Sequence, residues 1–282
     1  MMLIADSGST KTHWCVIDKT GVFKHVFTKG INPFYQTEDE IAREIELVLI
    51  PELKDIQIKS IYFYGAGCSF PDKKTIVSNA LGRNFKNIPI EVQSDLLGAA
   101  RSLFGDNKGI ACILGTGSNS CSYNGKEITE NVSPLGYILG DEGSGAVLGK
   151  TLIADCLKNQ LPAKLKDKLM SEYELTPASI LENVYKKPFP NRFLAHFSPF
   201  LLQNIENPSI FNIVYNSFDG FFVRNVKQYD CENLQVSFVG SVAHYFRDTL
   251  GIVASEHGLI IGRIEQSPMD GLVEYHKTTP NP

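Results

Sequence analysis

The chain has 282 residues and a mass of 31.3 kDa, and 43% of its residues are hydrophobic while 21% are charged. This composition fits one large domain or two lobes and excludes a disordered or fibrous chain. The formal net charge is -4 and the basic residues form no run, which disfavours nucleic acid as a partner. No apolar stretch reaches the roughly 18–20 residues that span a bilayer, and no basic leader precedes the first strand-like segment. We therefore expect a cytoplasmic protein without a membrane partner.

Cysteine and histidine spacing gives no support for a metal centre. The six cysteines contain no C-x-x-C pair, and most lie in apolar runs, so we expect buried thiols at Cys15, Cys68, Cys112, Cys121, Cys156 and Cys231. The six histidines show no H-E-x-x-H spacing, which disfavours zinc.

The first half of the chain alternates strands and helices. A capping box at Thr37 and Glu40 opens a helix that continues to about Leu53. Around it, the patterns predict strands at 2–6, 13–18, 22–28, 58–67 and 88–95, helices at 71–85 and 96–105, and a turn at Lys19-Thr20-Gly21.

At Lys108 the opening pattern begins again. Residues 109–125 read as a strand, a glycine-rich turn and a second strand, with a third strand possible in KEITEN at 126–131. Aligning the two openings places Gly8 against Gly115 and Thr10 against Gly117. We interpret this repeat as two lobes of common ancestry. The rest is predicted to contain helices at 142–160, 163–174, 177–186, 191–205 and 208–229, a strand, turn and helix within 233–250, a last strand at 258–262 and a helical segment at 267–277.

Three junctions after strands share a composition that suits phosphate. They are Asp6 to Thr12, Gly115 to Ser120, and Gly240-Ser241. Glycine allows successive backbone N–H groups to point into one concavity, and a Ser or Thr hydroxyl adds a donor. For the first junction alone, a solvated hairpin is the competing interpretation. A complete G-x-G-x-x-G, a Walker A loop and G-x-S-x-G are all missing, and Lys150 is interpreted as a helix-surface residue.

Two aspartates stand where strands or loops meet helices. Asp95 ends the strand IPIEVQSD just before a helix, where it acts either as an N-cap or as a catalytic carboxylate. Asp141, with Glu142, also precedes a helix, where acidic residues complement the helix dipole. The residues alone leave both alternatives open.

Five motifs occur in a characteristic order: DSGSTKT at 6–12, QSDLLGA at 93–99, LGTGSNS at 114–120, LGYILGDEGSG at 135–145 and FVGSVAH at 238–244. In this order and at these separations they resemble the N-acetylglucosamine kinases of the actin, sugar-kinase and heat-shock ATPase superfamily, alongside the ATPase activators of benzoyl-CoA reductase. The resemblance covers the chain from Asp6 to about Thr249, and GTGSN followed by GDEGS is its most specific part.

The resemblance implies an α/β fold with two ribonuclease-H-like (actin-like ATPase) lobes. Each lobe would be a mixed five-stranded sheet with flanking helices, and ATP would lie in the interlobe cleft. The N-terminal lobe would comprise 1–107 and be completed by the C-terminal segment 263–282. The C-terminal lobe, 108–262, would carry extra helices.

The resemblance also assigns roles to individual residues. Asp95 matches the catalytic base that accepts the proton of the sugar 6-hydroxyl, and Asp6 would hold Mg²⁺ through water. The residues matching the ATP-binding positions are Ser9, Thr10, Lys11, Thr116, Gly117, Gly240 and Ser241. Those matching sugar-side positions are Asn32, Ser118, Asn119, Leu135, Gly136 and Asp141. Leu135 stands where mammalian members place a tryptophan, so stacking on the pyranose ring would be lost. The cysteines show neither the iron–sulfur pairing of the activator branch nor the zinc cluster of repressor-related sugar kinases.

We therefore expect an ATP- and Mg²⁺-dependent kinase that phosphorylates N-acetylglucosamine or a close amino sugar at oxygen 6. The alternatives are a nucleotide-dependent activator or clamp ATPase that acts on a protein partner, and a degenerate sugar sensor. The sequence leaves open the physiological sugar and the oligomeric state. A homodimer, if one forms, is expected to use the helices at 163–230.

Overall fold

The computed structural model describes residues 1–18 and 21–278. Of the predicted turn Lys19-Thr20-Gly21, only Gly21 is described, and its carbonyl accepts a hydrogen bond from Asp18 N at 3.0 Å. The end of the predicted C-terminal segment, 279–282, lies outside the described residues. The first elements are β1 (Met2–Ser7), β2 (Lys11–Ile17), β3 (Val22–Lys29), α1 (Glu38–Glu44), a π-helical turn (Ile45–Leu49), α2 (Ile50–Glu52), β4 (Ser60–Gly65), α3 (Pro71–Asn84), β5 (Ile90–Ser94) and α4 (Asp95–Phe104).

The first sheet has the strand order β3-β2-β1-β4-β5. Strands β1, β2 and β3 form an antiparallel meander, whereas β4 and β5 run parallel to β1. Ser7 pairs with Thr12 across the first turn and with Gly65 on β4. The turn after β1 therefore lies at the same edge of the sheet as the carboxyl ends of β4 and β5.

The second series of elements has the same organisation with helices inserted. It comprises β6 (Gly109–Leu114), β7 (Ser118–Tyr123), β8 (Ile128–Glu130), α5 (Gly136–Leu139), α6 (Gly145–Leu157), α7 (Ala163–Glu172), α8 (Pro177–Tyr185), α9 (Pro190–Ala195), α10 (Ser198–Gln203), α11 (Pro208–Arg224), a 3₁₀ turn (Val226–Gln228), β9 (Gln235–Val239), α12 (Ser241–Tyr245), α13 (Arg247–Glu256), β10 (Ile260–Glu265) and α14 (Met269–Thr278).

The second sheet has the order β10-β9-β6-β7-β8, which matches that of the first sheet read from the opposite edge. Strand β9 is parallel to both β6 and β10. The two mixed five-stranded sheets with flanking helices confirm the predicted fold class and the repeat behind it.

Contacts between Cα atoms divide the chain into two units. The first comprises Met1–Lys108, Tyr123–Ile128 and Ser267–Pro282, and the second comprises Gly109–Ser122 and Thr129–Gln266. The sequence predicts boundaries between the lobes at 107–108 and at 262–263. Strand β10 runs past the second of these boundaries, to Glu265, and belongs to the second unit.

Each unit has its own apolar core. In the first, residues of β1 and β2 alternate between a cluster with α1 and α3, which includes Trp14 and Phe63, and a cluster with α14, which includes Tyr64 and Leu272. This alternation is what a sheet covered on both faces requires. The core of the second unit is rich in phenylalanine, contributed mainly by α10, α11, β9 and the α12–α13 junction.

Three predicted elements differ clearly from the structure, one of them the helix within 233–250, which is divided into α12 and α13. The single helix predicted at 191–205 is two short helices, α9 and α10, which meet at His196-Phe197. Pro199 has no backbone N–H to donate, so a helix can begin there but cannot continue through it without losing a hydrogen bond. The strand predicted at 258–262 runs instead from Ile260 to Glu265.

Candidate active site

The turn between β1 and β2 is a tight hairpin held by buried hydroxyl groups. Gly8 N donates to Lys11 O at 3.1 Å, and the side-chain oxygens of Ser7 and Thr12 lie 2.7 Å apart. Thr10 and Lys11 are exposed and Ser9 is half-buried. The hairpin interpretation is therefore correct as geometry, and it leaves the predicted phosphate-binding residues at the surface of the turn.

A neighbouring glycine lets another segment approach this turn closely. A Cβ on Gly30 would lie 2.5 Å from the carbonyl oxygen of Gly8, so only glycine fits there without a shift. Gly30 N donates to Thr10 O at 3.1 Å. Asn32 lies two residues after Gly30 in the chain and is therefore close to this contact.

Asn32 is fixed by backbone groups. Its Oδ1 accepts a hydrogen bond from Phe34 N at 3.0 Å, and its own N donates to Gln36 Oε1 at 2.7 Å. A Cβ on Gly67 would lie 2.5 Å from Asn32 Oδ1, so the turn after β4 packs directly against this amide. Asn32 therefore lies beside the carboxyl end of β4 in the first unit.

The first unit holds two candidate carboxylates, and the charge of Asp95 raises the pKa of Asp6. Asp6, near the end of β1, has its pKa raised to about 7, chiefly by burial and further by the negative charge of Asp95, while Lys11 opposes the shift. Burial raises the pKa of Asp95 to about 6, against the lowering effect of hydrogen bonds from backbone N–H groups at Leu96 and at its own position. A carboxyl such as that of Asp6, whose pKa is raised by burial and further by a second carboxyl, forms with that carboxyl a centre that attracts cations.

Asp95 is not the N-cap of α4. Ser94 is the cap, and its side chain accepts a hydrogen bond from Leu97 N. Asp95 is the first helical residue, with Oδ1 2.9 Å from Leu96 N. Since capping is done by Ser94, the carboxylate of Asp95 remains available for chemistry.

The second glycine turn joins β6 to β7 and contacts α6. Gly115 N donates to Gly117 O at 2.9 Å, while Gly145 N and Ala146 N donate to the carbonyls of Gly115 and Thr116. The start of α6 is therefore built onto the turn. Gly240 reaches the same region: its φ is +122°, and a Cβ there would lie 2.2 Å from Leu114 O.

Asp141 lies against the second turn. A Cβ on Gly117 would be 3.1 Å from Asp141 Oδ2, and the backbone N–H of Ser118 donates to the carboxylate. Burial raises the pKa of Asp141 to about 6; the Ser118 hydrogen bond lowers it, and Glu142 and Lys150 exert smaller opposing effects. Asp141 has φ +57° and precedes Ser144, the N-cap of α6. Asp141 and Glu142 precede the helix, as predicted, but both lie before its N-cap and outside its first turn, so the structure gives the helix-dipole interpretation no support.

A closed loop runs from Pro134 to Asp141. Asp141 N donates to Pro134 O at 2.9 Å, and a Cβ on Gly140 would lie 2.2 Å from the same oxygen. Leu135 and Gly136 both have positive φ, at 61° and 73°. Leu135 is 59% exposed.

A cavity of about 410 Å³ lies beside the second turn, entirely within the second unit. Among the predicted residues, Thr116 and Ser241 line it, while Gly240 precedes the helix that does. Sequence reasoning missed the rest of the wall, which comes from α9, α10, α12 and their ends: Ala195, His196, Ser198, Pro199, Leu202, Val242, Tyr245 and Phe246. No motif identifies the α9 and α10 residues, since their place at the cavity follows from the break between the two helices.

Lys150 is exposed on α6, as interpreted, and its Nζ donates to Tyr137 O at 2.6 Å.

The structure thus groups the predicted residues in two sets. In the first unit, Asp6, Asp95, Asn32 and the turn Ser9–Lys11 lie at one sheet edge. In the second, Thr116, Gly117, Ser118 and Asp141 form one constellation with the cavity beside it.

No cluster of three or more His, Cys, Asp or Glu side chains suited to a metal occurs among residues 1–18 and 21–278. Over the same residues, no helix is long and apolar enough to cross a membrane.

Comparison with solved structures identifies relatives along the whole chain. The chain is 50% identical to a protein of Porphyromonas gingivalis named as a putative N-acetylglucosamine kinase, with 99% of both chains covered and a TM-score of 0.97. A protein of the same description from Chromobacterium violaceum has 16% identity and a TM-score of 0.72, over 97% of this chain and 98% of that one. A ROK-family glucokinase of Streptomyces griseus, solved with glucose and AMPPNP, has 14% identity and a TM-score of 0.59 over 97% of both chains. The last two show the shared fold only. No family model and no curated protein matches the chain.

Proposed function

The chain belongs to the N-acetylglucosamine kinase family of actin-like sugar kinases, and on that premise we propose that it transfers the γ-phosphate of ATP to the 6-hydroxyl of N-acetylglucosamine or a close amino sugar. The observation that carries the proposal is the carboxylate of Asp95, the first residue of α4, which is not the N-cap of that helix and whose pKa is raised by burial to about 6. A base with a pKa close to the working pH is suited to accept the proton of an alcohol during phosphoryl transfer.

The first unit supplies the base and a phosphate contact. Asp95 accepts the proton of the sugar hydroxyl as the phosphate is transferred, which leaves a neutral carboxyl and a sugar phosphate. Thr10 and Lys11 contact the β- and γ-phosphates, and the positive charge of Lys11 offsets phosphate charge. Asn32 contacts the sugar through its amide.

The second unit supplies the nucleotide and sugar contacts. The backbone of Thr116 and Gly117 contacts the phosphates, while Ser241 and the apolar walls of the 410 Å³ cavity hold the nucleoside. The carboxylate of Asp141 accepts hydrogen bonds from sugar hydroxyls. The AMPPNP bound to the glucokinase of Streptomyces griseus supports ATP as the nucleotide.

The donor set of the first unit fits Mg²⁺. Asp6 is a carboxylate whose ionisation is disfavoured by burial and by Asp95, and a divalent cation would relieve both effects. Mg²⁺ is held in phosphoryl-transfer sites by one or two carboxylates, with waters and phosphate oxygens completing its shell. When bound, it would neutralise charge on the phosphate oxygens. Asp6 would hold it through water.

The test is phosphorylation of a panel of amino sugars by the purified protein with Mg-ATP, alongside the Asp95→Asn variant. We expect sugar-dependent ADP formation that the variant loses by about 10²–10⁴-fold while it still binds ATP. ATP turnover that needs no sugar and survives Asp95→Asn would overturn the kinase and favour an activator or clamp ATPase. Asp72→Asn, at an exposed position in the first turn of α3, is the matched control and should leave turnover unchanged.

A further inference from the structure

The amide of Asn119, on β7, has a fixed orientation. Its Oδ1 accepts hydrogen bonds from the backbone N–H of Ser120 and from Nδ2 of Asn131, each at 2.9 Å. A backbone N–H only donates, so the atom that faces Ser120 N has to be the amide oxygen. An amide oxygen has two lone pairs, and both are occupied.

Asn131 is itself held in place. Its Nδ2 also donates to the carbonyls of Ser120, at 2.7 Å, and Val132, at 3.1 Å. The buried hydroxyl of Tyr229 accepts a hydrogen bond from Val132 N at 2.8 Å and donates to Ser120 O at 2.9 Å. The segment that carries Asn131 is therefore tied to β7 from two sides.

The hydrogen-bonding groups of the Asn119 side chain that remain are donors only. Its half-buried Nδ2 makes no hydrogen bond with the described part of the chain, and it carries two N–H donors. Asp141, whose carboxylate accepts a hydrogen bond from the backbone of Ser118, has no donor left once it is ionised and then only accepts hydrogen bonds. The sugar side of the second unit thus pairs a donor-only amide with an acceptor-only carboxylate.

We propose that Asn131 is a positioning residue that holds the amide of Asn119 so that only its Nδ2–H donors meet the substrate, which selects an N-acyl carbonyl over a free ammonium group. This inference rests on the proposed function. A carbonyl oxygen accepts hydrogen bonds and so pairs with Nδ2. A protonated amine only donates, which would leave two sets of donors facing one another.

The experiment compares kcat/KM for N-acetylglucosamine and glucosamine in the wild type, Asn119→Asp and Asn131→Ala. Asn119→Asp keeps an oxygen facing Ser120 and Asn131 but replaces the donor by an acceptor. We expect it to lose about 10–100-fold in kcat/KM for N-acetylglucosamine and to shift the preference towards glucosamine. Asn131→Ala should lower the preference for N-acetylglucosamine by about 3–10-fold through KM for the sugar, with KM for ATP unchanged.

Thr129→Val is the matched control, because it removes one side-chain hydrogen bond, to Ser122 O, from the same hairpin without touching Asn119. Thr129→Val should leave the preference unchanged. Because Asn131 is also exposed, the melting temperature of Thr129→Val shows how much stability the loss of such a side-chain hydrogen bond costs in Asn131→Ala. The inference is overturned if either Asn119→Asp or Asn131→Ala keeps the wild-type preference between the two sugars. If the wild type phosphorylates neither sugar, the proposed function itself fails. If the wild type phosphorylates N-acetylglucosamine and the preference is unchanged in either variant, only the inference fails.

Discussion

The guanidinium of Arg101 donates a hydrogen bond to the hydroxyl of Tyr64 over 2.8 Å, which joins α4 to β4. The same nitrogen lies 2.9 Å from Glu91 Oε1 on β5, and the Tyr64 hydroxyl lies 2.8 Å from Nε2 of His276 on α14. The largely buried cation of Arg101 therefore bonds α4 directly to β4 and β5, and α14 joins this network through the Tyr64 hydroxyl. Because α4 begins at Asp95, this network also fixes where the proposed base stands.

We predict that Arg101→Met lowers both stability and turnover. Removal of the cation breaks the ion pair with Glu91 and one hydrogen bond of the Tyr64 hydroxyl, a loss of about 1–3 kcal/mol in the free energy of unfolding. Turnover should fall at constant KM for ATP, since the substitution does not touch the turn that we propose to bind phosphate. Urea unfolding and steady-state kinetics measure the two effects.

Arg83→Met is the control for this change, because Arg83 forms exposed ion pairs with Asp39 and Glu38 on α1. Such surface pairs contribute at most about 1 kcal/mol. Equal destabilisation by the two substitutions would contradict the special role assigned to Arg101.

We predict that the rate of sugar phosphorylation rises with pH through the pKa of Asp95. That pKa is about 6, so the carboxylate is mostly protonated at pH 5 and mostly ionised at pH 7. Only the ionised form accepts a proton from the sugar, so kcat/KM should increase over this range. The measurement is the pH profile at saturating Mg-ATP, and a flat profile between pH 5 and 7.5 would remove Asp95 from the role of base.

We also predict that Asp95→Asn stabilises the fold at neutral pH. The pKa of Asp95 is higher in the native state, about 6, than its ordinary value of 3.8, so the native state binds the proton more tightly. Stability from this group is therefore greatest at low pH and falls as pH rises between the two values. Asparagine mimics the protonated form, so the gain in melting temperature should be larger at pH 7.5 than at pH 5. Asp72→Asn, on the exposed first turn of α3, should show no such pH-dependent gain.

The sequence predicted the fold to the extent that its patterns are local. The strands and glycine turns around Gly8 and Gly115 repeat one another, and this repeat reappears as two sheets of matching strand order. The break at His196-Phe197 was missed because apolar spacing continues across it, although Pro199 interrupts the hydrogen bonding. The partners of Arg101 were missed too, since residue 276 lies far along the chain and no periodic pattern links it to residue 64. The roles of the site residues remain proposals.

We predict that Gly117→Ala weakens sugar binding. The added Cβ would stand 3.1 Å from Asp141 Oδ2, so the carboxylate has to shift by a few tenths of an ångström. Asp141 is held by its backbone hydrogen bond to Pro134 and cannot move freely, so the KM for the sugar should increase. Gly251→Ala, where the new Cβ meets no atom within 4 Å, should leave the KM unchanged. An unaltered sugar KM in Gly117→Ala would argue against Asp141 as a sugar ligand.

The cavity of the second unit gives a prediction about the nucleotide alone. Ala195 lines it at the end of α9, and a Cβ on the neighbouring Gly145 would already lie 3.2 Å from Ala195 Cβ. An indole in place of the Ala195 methyl would fill a large part of the 410 Å³. Ala195→Trp should therefore raise KM for ATP strongly and leave the binding of sugar in the absence of nucleotide unchanged.

Calorimetric titration with AMPPNP and with N-acetylglucosamine separates the two effects. Ala178→Trp, at an exposed position on α8, introduces the same side chain away from the cavity and controls for the bulk of the indole. If Ala195→Trp binds AMPPNP as tightly as Ala178→Trp does, the cavity does not hold the nucleoside. The nucleotide would then have to contact the second unit through the glycine turns alone, at Thr116-Gly117 and at Gly240-Ser241, because these are the phosphate-binding features proposed there.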